Sequence, residues 1–131
     1  MLFVLFSTSA VFAGSGNFNW TKVIDAIVMV ESNGRCDAKS GNCVGPMQIS
    51  PIMVKECNEI LKAKNLKPKF KLADRFDLKK SKEMFHLFQE KYNPGNNVER
   101  AVRSWNGGPN FKIKATNSYY RKVVSKLNKS N

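Results

Sequence analysis

The run Val23-Ile24-Asp25-Ala26-Ile27-Val28-Met29-Val30 ends in Glu31, and that ending constrains the chain more than any other segment. Steps of three, four and seven back from Glu31 reach Val28, Ile27 and Ile24. Those offsets share one face of a helix. A helix is therefore predicted over 20–32, capped by Asn19 or Thr21. On that helix Glu31 projects from the face that should be buried. A carboxyl there is desolvated, its neutral form is favoured and its pKa rises. A carboxylic acid still protonated near neutral pH can act as a general acid. The plainer expectation for one helix-end carboxylate is that it turns back to water. Other segments must decide between the two.

At 131 residues the chain fits one domain, and 42% hydrophobic content with nine Phe, two Trp and three Tyr is enough for a core. Residues 1–13 carry no charge and end Val11-Phe12-Ala13, followed by Gly14-Ser15-Gly16. The segment is shorter than the ~20 residues a membrane-spanning helix takes. It reads as the apolar and cleavage regions of a secretory signal, although no basic residue precedes it. The expected outcome is export to the periplasm, the cell envelope or the outside, with a mature domain over 14–131 and no stable membrane span. A monomer is expected.

The net charge of +12 points to an anionic partner: nucleic acid, acidic lipid or a cell-wall polymer. The densest basic stretch, 62–71, reads locally as a solvated loop and helix end. Nucleic acid is disfavoured, because neither a zinc-finger spacing nor an aromatic RNA-binding signature is present and the start resembles an export signal. Cys36 and Cys43 flank a turn-rich stretch and could close a small disulfide loop in an exported protein. Cys57 falls on a helical stripe with Met53, Ile60 and Leu61 and reads as a buried thiol. With His86 far along the chain, no zinc spacing is formed, and neither metal nor cofactor is expected.

The coarse reading is mostly helical. Val44–Ile49 reads as an extended or turn segment, and Ser50-Pro51 starts a helix that runs to about Lys64. A basic connector over 65–80 holds a short turn around Asp74–Leu78. Ser81 is expected to cap a helix carrying Met84, Phe85, Phe88 and Tyr92, which Asn93-Pro94-Gly95-Asn96 stops. Asn97 caps a short helix with Val98, Ala101, Val102 and Trp105 on one stripe. Thr116 or Asn117 starts the last helix, with Tyr120, Val123, Val124 and Leu127 on one face. The expected fold is mainly α, a compact α-rich single domain of about five helices with a short extended segment near 44–49.

Four short segments carry a further signal. They are Val30-Glu31-Ser32-Asn33, Gly45-Pro46-Met47-Gln48-Ile49-Ser50-Pro51, Ser104-Trp105-Asn106-Gly107-Gly108-Pro109 and Tyr119-Tyr120-Arg121-Lys122-Val123. Their order and spacing resemble the soluble lytic transglycosylase family, whose catalytic domain is lysozyme-like (α+β) and related to goose-type lysozyme. The resemblance covers nearly all of 20–127. Single motifs such as Glu-Ser are weak; four in order at single-domain spacing are strong.

The resemblance implies a role for each matched position. Glu31 falls on the family's catalytic acid, and Ser32 after it, like Met47, falls on an expected substrate contact. Met47 and Gln48 fall on the Met-Gln pair that lines the cleft, and Asn106 on the Asn that contacts sugar near the scissile bond. Tyr119, with Tyr120 as the alternate, falls on the Tyr that points toward the acid. Trp105 stands where Tyr is common and keeps an aromatic stacking face. Pro46 and Gly107 also depart from the usual residues, and the Cys36–Cys43 loop is a local feature.

Glycoside cleavage usually uses two carboxylates. The other acids, Asp25, Asp37, Glu56, Glu59, Asp74, Asp77, Glu83, Glu90 and Glu99, lie outside any segment matching a second catalytic position. One carboxylate fits the transglycosylase reaction that the resemblance implies. That reaction cuts peptidoglycan between N-acetylmuramic acid and N-acetylglucosamine and leaves a 1,6-anhydromuramic end. Peptidoglycan strands and an anionic wall surface are then the expected partners. Two other readings stay open: a hydrolytic muramidase on the same fold, and a catalytically inactive wall-binding or structural protein.

Overall fold

A computed structural model describes residues 18–130. The signal-like segment 1–13 lies outside the described residues. The first helix, α1, spans Thr21–Ser32. The N-cap position falls on Trp20, which offers no side-chain acceptor, so neither Asn19 nor Thr21 caps the helix as expected; Asn19, one residue earlier, accepts from the Thr21 amide through Oδ1 at 3.0 Å. The helix ends where Asn33 turns left-handed at φ 52° and its N–H bonds the Met29 carbonyl. A small antiparallel hairpin follows, β1 (Lys39–Ser40) and β2 (Cys43–Val44), with Lys39 opposite Val44 and Ser40 opposite Cys43. Val44 and Ile49 then exchange backbone hydrogen bonds of 3.2 and 3.0 Å, which closes 44–49 into a tight turn.

Helix α2 spans Pro51–Ala63, and Ser50 caps it by accepting from the Met53 amide at 3.2 Å. A short 3-10 helix, Leu72–Phe76, leads into α3, Leu78–Tyr92. The expected cap of α3, Ser81, lies inside the helix instead. Asp77 takes that role, accepting from the Lys80 amide at 2.8 Å, while the buried Ser81 hydroxyl bonds back to the Asp77 carbonyl at 2.8 Å. Asn97 caps α4, Val98–Gly107, as expected.

Helix α5 spans Ile113–Lys129 and so begins three residues before Thr116. The cause is tertiary. Arg103 is almost fully buried, and its Nη1 donates toward the Ile113 carbonyl, Thr116 Oγ1 and Asn117 Oδ1 at 2.9–3.0 Å. A buried guanidinium has to be saturated with acceptors, and the early turn of α5 supplies them.

The fold is mainly α: five helices beside one two-stranded sheet among the described residues. Helices α1 and α4 both pack on α5, and α2 packs on α3. The centre is aromatic. Phe85 meets Trp20 and Trp105 at ring distances of 5.7 and 5.2 Å, and Phe88 meets Trp105 at 6.0 Å. Ile24, Ile27, Met47, Ile49, Val102 and Val123 fill the space around them. Each such side chain stabilises the fold by roughly 1.5–3 kcal/mol. Among the described residues no helix is long and apolar enough to cross a membrane.

Candidate active site

Glu31 occupies the last turn of α1, after Ile24 and Ile27 have entered the core. Its carboxyl is half-buried, and loss of water pushes its pKa up to about 7. The Tyr119 hydroxyl of α5 works in the opposite direction and favours the carboxylate. That hydroxyl is buried and has no partner in hydrogen-bond geometry among the described residues. Burial, then the charge of Glu31, holds its pKa well above the ordinary phenol value. The two groups are close enough to feel each other without a completed bond. Tyr120 turns the other way and stacks under the Arg103 guanidinium at 4.4 Å.

The turn 44–49 sits against the end of α1. Ser32 is buried, and its hydroxyl lies 2.8 Å from the Pro46 carbonyl and 3.0 Å from that of Val28. It ties the turn to the helix instead of facing the cleft. Met47 is likewise fully buried in the core; its carbonyl accepts from Trp105 Nε1 at 3.1 Å. Both residues were expected to touch substrate, and both lie behind the surface that would. Apolar packing claims the Met47 side chain, and the need to satisfy a buried carbonyl claims the Ser32 hydroxyl. Gln48 does reach the cleft wall. Its Nε2 also donates to the Ala38 and Gly45 carbonyls at 3.1 and 2.9 Å, which fixes the turn to the hairpin.

A cleft of about 610 Å³ runs past these groups. Its walls include Glu31, Gln48, Ser50, Met53, Trp105, Asn106 and Pro109. Asn106 is exposed there, beside the Gly107-Gly108 turn that ends α4. Trp105 is only 8% exposed, so most of its ring serves the core and an edge is left for the cleft. Cys43 is on the rim. Cys36 and Cys43 stand as free thiols, so the disulfide that their spacing allows is not formed in this structure. Cys57 is buried, and burial pushes its thiol up to about 12. Among the described residues no three His, Cys, Asp or Glu side chains gather to hold a metal ion.

The cleft also holds a carboxylate that lies outside the matched segments. Glu56 of α2 lines it together with Tyr92 of α3. Tyr92 donates a short hydrogen bond to Glu56 Oε1, and Lys91 Nζ donates to the same oxygen at 2.9 Å. These bonds, Tyr92 first, hold the Glu56 carboxyl below its ordinary pKa. The two cleft acids are therefore shifted in opposite directions, one toward the neutral form and one toward the ion. The sequence held a faint signal: Glu56 follows Ile52 by four and Met53 by three, one helical face.

An acid poised near neutrality on the wall of an open cleft can give up a proton and take one back at that pH. In comparison with known proteins, the family described as the transglycosylase SLT domain matches residues 12–128. No curated protein and no solved structure matches the chain.

Proposed function

The chain belongs to the transglycosylase SLT family, whose domain cleaves peptidoglycan, and on that premise we propose that it is a lytic transglycosylase with Glu31 as its sole proton shuttle. Glu31 begins neutral and gives its proton to the glycosidic oxygen as the C1–O4 bond breaks. The acetamido oxygen of the substrate's N-acetylmuramic acid stabilises the cation developing at C1. Glu31, now a carboxylate, takes the proton of the 6-hydroxyl on the same sugar, and O6 bonds to C1. The product is a 1,6-anhydro end, no water is consumed, and Glu31 returns to its starting state. Ionising Glu31 midway costs less because the Tyr119 hydroxyl stands ready to bond the carboxylate.

One observation carries this reading: the half-buried Glu31 carboxyl, raised to about 7, lies on the cleft wall beside the unpartnered Tyr119 hydroxyl. Glu31→Gln tests it. Lysis of purified peptidoglycan should fall by at least ~10³-fold while the helical circular dichroism is unchanged. Undiminished lysis by folded Glu31→Gln would remove Glu31 from the chemistry.

A second reading, hydrolysis, is favoured by the presence of Glu56 as another cleft carboxylate. Hydrolysis needs a base to activate water. Two donors on Oε1 make Glu56 a weaker base than an ordinary glutamate, and transglycosylation is the better fit.

Export is part of the proposal. The uncharged apolar segment 1–13 and a substrate outside the cytoplasm support it. N-terminal sequencing of the secreted protein should begin near residue 14, and an uncleaved chain held in the cytoplasm would contradict export. The charge of +12 suits an anionic wall surface.

A further inference from the structure

Glu56 of α2 meets two neighbouring side chains of α3, Lys91 and Tyr92, at one carboxylate oxygen. As an exposed ion pair the group contributes little to stability, typically under ~1 kcal/mol. It does fix the carboxylate in place and in charge. Both donors take Oε1, and Oε2 has no protein partner among the described residues. The Glu56 side chain is 28% exposed, so an acceptor stands open to the cleft.

The surface around it is apolar. Ile52 is 79% exposed in the same cleft, with Met53 beside it. The Tyr92 ring is held against Phe88 at 4.9 Å. An oriented carboxylate oxygen beside an apolar shelf matches the two sides of a pyranose, whose C–H face is apolar and whose rim carries hydroxyl donors. A cationic ligand fits less well, because Lys91 already balances the charge at 2.9 Å.

We propose that Glu56, Tyr92 and the Ile52 shelf form a second sugar-binding subsite, which grips the glycan at a residue away from the bond being cut and takes no part in proton transfer. The proposal rests on the reading of the cleft as a glycan site. Glu56 differs from Glu31 in the property that matters for chemistry. A general base works best with a pKa near the working pH, whereas Glu56 is held as a stable ion. A fixed acceptor loses little freedom on binding and suits recognition.

The test is calorimetric binding of chitohexaose, an unbranched N-acetylglucosamine hexamer, to Glu31→Gln protein with and without Glu56→Gln. Loss of a hydrogen bond to a charged acceptor should weaken binding about tenfold. In the otherwise native enzyme, Glu56→Gln should raise KM for soluble glycan strands by a similar factor and leave kcat within about twofold. Ile52→Ser, at an exposed position that cannot disturb the core, should weaken hexamer binding about threefold. Hexamer affinity unchanged by both substitutions, or no hexamer binding by Glu31→Gln protein, overturns the subsite. A collapse of kcat in Glu56→Gln also overturns it, by placing Glu56 in the chemistry. Failure of the native enzyme to cleave peptidoglycan would sink the transglycosylase reading, and hexamer binding would still judge the subsite.

Discussion

The Tyr119 hydroxyl is buried beside the Glu31 carboxyl without completing a hydrogen bond to it. Catalytic contacts are often long in the unliganded state and tighten only when charge develops. Here the acid starts neutral, and a neutral carboxyl attracts the phenol weakly. Once the proton leaves, Glu31 becomes a charged acceptor next to a donor that has no other partner among the described residues. The pairing therefore favours the state that Glu31 would take midway through the proposed reaction.

Activity should follow the protonation of Glu31. With its pKa raised to about 7 by burial, the acid form dominates below that value. The alkaline limb of kcat/KM should fall about tenfold per pH unit above about pH 7. A profile that stays flat to about pH 9 would contradict a neutral Glu31 as the acid.

Removing the hydroxyl alone should move that limb. Tyr119 lowers the Glu31 pKa, so Tyr119→Phe should shift the limb upward. It should also reduce kcat roughly tenfold, the scale of one hydrogen bond to a charged group. Stability should hold, because a buried hydroxyl with no partner among the described residues contributes no bond to lose. A large drop in melting temperature with unchanged kcat would make Tyr119 a packing residue only.

The same acid sets a stability trade-off. The folded pKa of Glu31 lies above its ordinary value of 4.5, at about 7. The folded state thus holds the proton more tightly, and stability present below about 4.5 is lost as pH rises through about 7. That gap corresponds to on the order of 3 kcal/mol. Glu31→Gln cannot ionise and escapes the loss. It should melt above the native protein at about pH 8 and close to it near pH 4.5. Equal melting at both pH values would mean that the carboxyl is not desolvated.

Ser32 and Asn106 should separate support from contact. Ser32→Ala leaves the buried Pro46 carbonyl without its 2.8 Å donor. It should destabilise by about 1–3 kcal/mol, a fall of roughly 5 °C or more in melting temperature. Asn106 is exposed on the cleft wall. Asn106→Ala should leave melting unchanged and raise KM several-fold. The reverse pattern would exchange their roles.

Gly45 should tolerate no side chain. Its φ is +83°, and a Cβ there would come within 1.8 Å of the Arg75 carbonyl oxygen. Gly45→Ala should cost more than ~2 kcal/mol and displace the turn that holds Gln48. Native melting and native activity in Gly45→Ala would show that the turn yields freely.

Local chemistry was legible in the sequence where local rules governed. The apolar spacing placed Glu31 on the inward face of α1, and Ser50 and Asn97 cap the helices they were expected to cap. The starts of α3 and α5 were not legible. One depends on Asp77 outcompeting Ser81, the other on Arg103 of α4, whose buried guanidinium takes its acceptors from the first turn of α5. Motif position could not separate side chains that line a cleft from those that hold it up, so Ser32 and Met47 sat among the contacts. Glu56 escaped notice because its partners, Lys91 and Tyr92, are 35 and 36 residues away. Only packing of α2 on α3 brings them together.

The most direct measurement is the mass of the fragments released from purified peptidoglycan by the native enzyme. Transglycosylation through Glu31 predicts muramic ends one water lighter than reducing ends, and none of them from Glu31→Gln. Fragments with ordinary reducing ends, or anhydro ends that persist in Glu31→Gln, would contradict it.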